Sequence, residues 1–188
     1  MVLKKGMTIE EIDRELSGKG DFVQIDYMTS FLKLESTFEI RKYVSMKLSD
    51  VYEKRGMFSE SAKIYEMIGE FAKGYAEQTK YFVRAAELYI MADLYPRADE
   101  CIRKALRETK IKQQNEIEKN IKNLYINQAE KYLTEKRRSN SVKIYEKLLV
   151  MNISKDERED IKKKLLGLYE ELGRMREYYM LKGKIEKI

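Results

Sequence analysis

The sequence has no histidine, no tryptophan, one cysteine, one proline and nine glycines among 188 residues. Without histidine the chain lacks the side chain that ordinarily changes charge near neutral pH and the commonest metal ligand, which removes most proton-shuttling and zinc chemistries. A lone Cys101 cannot close an internal disulfide, so the paired framework of small secreted domains is excluded and a reducing, cytoplasmic setting is expected. Scarce proline and glycine leave too few turn residues for many short strands, and the composition is that of helices joined by short turns. Long apolar runs are also missing. Lys4, Lys5, Glu10, Glu11 and Asp13 interrupt the first fifteen residues, so neither a secretory leader nor a membrane span is expected. No glycine-rich phosphate loop follows a strand-like segment. Carboxylates are plentiful, but Glu116 with Glu118, or Glu170 with Glu171, lie one or two residues apart, do not share a helix face and read as solvated surface. No catalytic residue, metal ligand or cofactor is predicted, and the protein reads as a non-enzyme.

Charge is abundant and uneven. Residues 1–100 carry 15 Lys or Arg against 18 Asp or Glu, a net −3, whereas residues 101–188 carry 23 against 14, a net +9. The basic half points to an acidic partner, whether nucleic acid, ribosome or acidic protein. Lysine and glutamate outnumber asparagine and glutamine, a bias found in thermophile proteins and also in proteins of AT-rich genomes.

Four tyrosines, Tyr52, Tyr89, Tyr132 and Tyr169, recur at intervals of 37, 43 and 37 residues. A period of this length is the mark of helical hairpins, each too small to bury its apolar face without a neighbour. The surrounding residues keep the same register. Four places before the tyrosine stand Leu48, Ala85, Gln128 and Leu165, and three before it Ser49, Ala86, Ala129 and Leu166. Nine places after it come Ser61, Ala98, Ser141 and Tyr178, three of them small enough for a second helix to cross closely. Sixteen after it, Ile68, Ala105, Leu148 and Ile185 complete the second helix's apolar face. Capping boxes are predicted at Thr8 with Glu11, Ser36 with Glu39 and Ser154 with Glu157, with a weaker signal at Asp21 and Gln24. The segment from Gly18 to Gly20 reads as a turn between a short helix carrying Ile9, Ile12 and Leu16 and a second one from about Asp21 to Leu34.

This register resembles the tetratricopeptide repeat, with small residues at its eighth and twentieth places and tyrosine at the eleventh. The best copy runs from Tyr81 to Tyr89 and through Pro96 and Ala98 to Ala105, and the copy with Gly56, Phe58, Ser61 and Tyr65 is close behind. In the third, Lys136 takes the place of the turn glycine, and in the fourth Tyr178 replaces the small crossing residue. A more distant likeness is to the helical hairpins of soluble NSF-attachment proteins. The resemblance implies one all-α domain over residues 1–188: a right-handed stack of antiparallel helical hairpins, an α-solenoid of about four repeats at 36–188, preceded by an N-terminal helical cap at 1–35.

The same resemblance implies a concave groove on the first helices of the hairpins that takes a peptide or a partner's helix. By register its residues are Met46 in the first copy, with Tyr43, Lys47, Asp50 and Lys54 beside it. Lys80, Val83, Arg84, Glu87 and Ile90 follow in the second, with Met91, and Ile126, Asn127 and Leu133 in the third, with Asn123 and Glu130. Val83 with Ile90, and Ile126 with Leu133, are seven apart and form stripes that either line a protein-binding groove or pack as core. Lys80 and Arg84 match a basic pair that holds a peptide carboxylate in some family members, but Lys47 stands where that clamp needs asparagine. A second candidate is a basic surface of Lys136, Arg137, Arg138, Lys162, Lys163 and Lys164, with Lys182, Lys184 and Lys187 at the end of the chain, suited to phosphates of RNA or a ribosome. Tyr125 and Tyr178, near it in sequence, are core by register, as is Cys101. The expected partner is a protein or peptide, or alternatively RNA or a ribosome, and association between copies is compatible with either.

Overall fold

The computed structural model describes residues 3–107 and 109–185, with side chains as far as Gly183. Among the described residues the chain is all-α: α1 (Ile9–Leu16), α2 (Asp21–Phe31), α3 (Phe38–Lys54), α4 (Phe58–Phe71), α5 (Tyr75–Met91), α6 (Tyr95–Leu106), α7 (Ile111–Thr134), α8 (Arg138–Leu148), α9 (Lys155–Glu171) and α10 (Met175–Ile185). None of these helices is long and apolar enough to cross a membrane. The chain divides into two compact units, Met1–Gln114 and Asn115–Ile188, with the boundary in the first turn of α7.

In the first unit, helices consecutive in sequence pack on one another from α2 through α6. Its N-terminal core gathers Ile12 and Leu16 of α1, Met28 and Phe31 of α2, and Val44 and Leu48 of α3. Thr8 caps α1 in a complete capping box with Glu11, and Ser154 does the same for α9 with Glu157 in the second unit. At Ser36 the expected box does not form. Thr37 caps α3 instead, accepting from the Ile40 amide, which leaves Glu39 one place too early to reach back.

The tyrosine register is visible in the backbone. After each of the four tyrosines the chain turns through a residue with positive φ four places on: Gly56 at 70°, Asp93 at 61°, Lys136 at 59° and Gly173 at 68°. The amides of Met57, Leu94, Arg137 and Arg174 then donate back to the carbonyls of Tyr52, Tyr89, Tyr132 and Tyr169 at 2.7–2.9 Å. The turn residues themselves donate to Glu53, Ile90, Leu133 and Glu170 at 2.9–3.2 Å. This is the Schellman pattern four times over, and it closes the otherwise orphaned carbonyls at each helix end. The small residues of the first three copies are buried as the register requires. Ser49 and Ser61 hydroxyls hydrogen-bond at 2.7 Å, and Ala86, Ala98, Ala129 and Ser141 have no exposed surface. Pro96 falls in the first turn of α6, where its missing N–H costs nothing. Ile185, expected to close the last apolar face, has a side chain outside the described residues.

Two of these turns place a side chain where glycine is at ease. An L-residue in the left-handed region costs roughly 1–2 kcal/mol, and glycine's greater freedom in the unfolded chain returns roughly 0.5–1 of that. Lys136→Gly is therefore expected to raise stability by about 0.5–1 kcal/mol and Gly173→Ala to lower it by a similar amount, read as shifts in the urea midpoint.

Candidate functional site

In the first unit the chain itself occupies much of the face assigned to the groove. The Tyr43 hydroxyl donates to Asp13 of α1 at 2.6 Å and Lys47 pairs with the same carboxylate at 2.9 Å, and these contacts hold the Asp13 carboxyl below the usual carboxylate range. Lys54 pairs with Asp21 of α2 at 2.9 Å. Met46 is half-buried beside them and Asp50 is exposed. The first two helices thus engage the same side of α3 that the resemblance offers to a ligand.

On α5 the predicted stripe breaks. Ile90 is 1% exposed, a core residue rather than a groove residue. Leu88, Tyr89 and Ile90 are buried in succession because α5 is packed by both α4 and α6, which leaves no outward apolar stripe at its C-terminal end. Val83 is half-buried and Lys80 exposed. Arg84 does not stand ready for a carboxylate. It already holds Glu53 at 2.5 Å and Glu87 at 2.8 Å and lies over the Tyr65 ring.

In the second unit, Ile126 is half-buried, Asn127 is exposed and Leu133 is half-buried. Leu133 shares a cleft with Arg138 of α8 and Lys163, Lys164, Leu168 and Glu171 of α9, so two clusters far apart in sequence line one depression. Much of the positive charge in and beside it is answered from within. Arg138 pairs with Glu171 at 2.5 Å, Lys164 with Glu130 at 3.2 Å while lying over the Tyr145 ring, and Arg137 with Glu135 at 3.4 Å while stacked on Tyr132. Lys162 is not on the surface as expected. Its stem is packed among buried residues and its ammonium holds Glu159 at 2.8 Å. Lys136 and Lys163 remain exposed. By structural unit the charge asymmetry also softens: residues 1–114 carry 20 cations against 19 carboxylates and residues 115–188 carry 18 against 13.

An apolar opening lies where the register did not point. Leu32 at the end of α2, Phe38, Arg41, Lys42 and Ser45 of α3, and Met67, Ile68 and Phe71 of α4 line a hollow of about 450 Å³. Phe71 is 67% exposed and Phe38 and Met67 45% each, which costs solvation that a core position would recover. Its signal in the sequence was the breadth of apolar residues on α4. Ile64, Tyr65, Met67, Ile68 and Phe71 cover a wider arc than one packing face consumes.

A scan against protein-family models and a search of curated proteins find no match to the chain. Cys101 is fully buried, and desolvation pushes its thiol up to about 12, so it has the character of an inert core residue.

Proposed function

We propose that this protein is a non-enzymatic scaffold of the tetratricopeptide type, a right-handed stack of about four helical hairpins behind an N-terminal cap, that holds another protein in the cytoplasm. The four matched turns and the small residues at the crossings support the repeat reading. One observation carries the function: the open hollow of Leu32, Phe38, Met67, Ile68 and Phe71. Large apolar side chains such as Phe38, Met67 and Phe71, held half in water around a concavity, are the usual anchor of a protein interface. With the Arg84 pair spent and Ile90 buried, this hollow replaces the register-derived groove as the docking place. RNA binding through the second unit is less favoured, because Arg138, Lys162 and Lys164 already have carboxylate partners that a phosphate must displace.

The test is site-specific photocrosslinking in lysate of the source organism, with a benzoylphenylalanine at position 71 and, separately, at position 163. Discrete protein adducts from position 71 that resist nuclease and disappear with Met67→Asp are expected. Adducts arising only from position 163 and lost on nuclease treatment would transfer the function to the basic cleft.

A further inference from the structure

We infer that the hollow in the first unit receives an acidic amphipathic segment of a partner protein: two large apolar side chains one helical turn apart, with a carboxylate beside them. This deepens the scaffold reading and rests on it. The size of the hollow sets the first part. About 450 Å³ holds a few side chains rather than a whole folded surface, and the lining is chiefly Leu32, Phe38, Met67, Ile68 and Phe71, which accept apolar anchors.

The charge at its edge sets the second part. The hollow is lined by two cations, Arg41 and Lys42, and by no carboxylate. Lys42 is already engaged, holding Glu77 at 2.5 Å and lying over the Tyr81 ring. Arg41 is not answered in this way. Its guanidinium donates to the Leu34 carbonyl at 3.4 Å, and among the described residues no carboxylate pairs with it. Arg84, Arg97, Arg138 and Arg174 each hold one, and what distinguishes Arg41 among the described arginines without one is its place in the lining of the hollow. A guanidinium at the rim of an apolar pocket, with donors to spare, selects for a carboxylate next to the anchors and against a lysine there.

The same charge argues against the exposed apolar residues of α10, from a second copy, as the occupant. Met175, Tyr179 and Met180 of α10 are exposed, but they are flanked by Arg174, Arg176 and Lys182, and Glu177 is already taken by Arg174. Nucleic acid is disfavoured too, since the rim offers isolated cations rather than a track along a phosphate chain.

The experiment is selection of displayed random peptides on the purified full-length protein, followed by anisotropy titration of the enriched peptides. Helix-compatible peptides with apolar residues three or four apart and a neighbouring Asp or Glu are expected. Phe71→Asp should weaken them at least about tenfold, and Arg41→Glu about five- to tenfold, with affinity regained when the peptide's acid is changed to lysine. Circular dichroism checks that both variants stay folded, as both positions are exposed. Enriched peptides that need Phe71 but show no acidic bias and no response to Arg41→Glu would overturn this inference and leave the scaffold reading intact. Enrichment indifferent to Phe71, or none at all, would overturn both. Sedimentation closes the remaining route: a wild-type dimer that Phe71→Asp dissociates would put a second copy in the hollow and overturn the inference.

Discussion

Tyr89→Ala should destabilise the first unit by about 3–5 kcal/mol, the range for removing a large buried aromatic. The ring is 1% exposed. Its hydroxyl donates to Glu66 at 2.8 Å, the Arg97 guanidinium lies 5.9 Å from its centroid, and its carbonyl closes the turn by accepting from Leu94. Truncation therefore opens a cavity and also strips a hydrogen bond from a buried carboxylate. Tyr89→Phe separates the two effects: the ring stays, the bond goes, and the expected loss is about 1–2 kcal/mol. At the equivalent place in the preceding turn, Tyr52 is half-buried, and Tyr52→Ala should cost about half as much as Tyr89→Ala or less. Urea denaturation with amide exchange read along α5 and α3 measures all three. Equal losses at Tyr52 and Tyr89 would mean that the tyrosines act through the turn they share, not through burial.

That difference between equivalent tyrosines shows what was legible in the sequence. Local rules carried through. Each of the four tyrosines precedes a turn at the same distance, Gly56 lies in one of those turns, and the boxes at Thr8 and Ser154 form as expected. Lys136 was recognised only as a departure, and the backbone nevertheless takes the same positive φ there because the hydrogen bonds on either side of the turn impose it. Faces were less legible. Periodicity assigns Ile90 a direction on α5 but cannot say how many neighbours a helix has, and a helix packed from two sides buries residues that register calls outward. Long-range ion pairs were invisible for a related reason: Arg84 with Glu53 and Arg138 with Glu171 are 31 and 33 residues apart, so a surface that looked strongly basic in sequence is partly neutralised in space. The hollow was missed because Phe38, Met67 and Phe71 each look like core residues, and only packing reveals that the core ends before reaching them.

Lys104→Met should cost the first unit about 2 kcal/mol at pH 7 and distinctly less near pH 3. The carboxylate of Glu66, 12% exposed, accepts from Lys104 at 3.0 Å and from Tyr89 at 2.8 Å, with Arg97 at 3.8 Å, and Lys104 also reaches Glu70 at 2.7 Å. Burial by itself pushes the Glu66 carboxyl up, but the bonds from Lys104 and Tyr89 outweigh it and hold the group below its ordinary range. A depressed carboxyl contributes stability that is complete above its unfolded-state value and is lost as pH falls through the lower folded value. Removing one partner of a buried pair costs roughly 3–5 kcal/mol, reduced here because Lys104 is 30% exposed and because Tyr89 and Arg97 remain. In the variant, burial is opposed by fewer partners, so the Glu66 carboxyl rises, the folded state takes up a proton earlier than wild type does, and protonation relieves the uncompensated charge. The stability gap between the two proteins should therefore narrow as pH is lowered through the ordinary carboxylate range, about 4 to 5. Urea midpoints at a series of pH values decide the matter: a gap that stays constant assigns the loss to the packed stem of Lys104, while a narrowing gap assigns it to the charge the ammonium compensates.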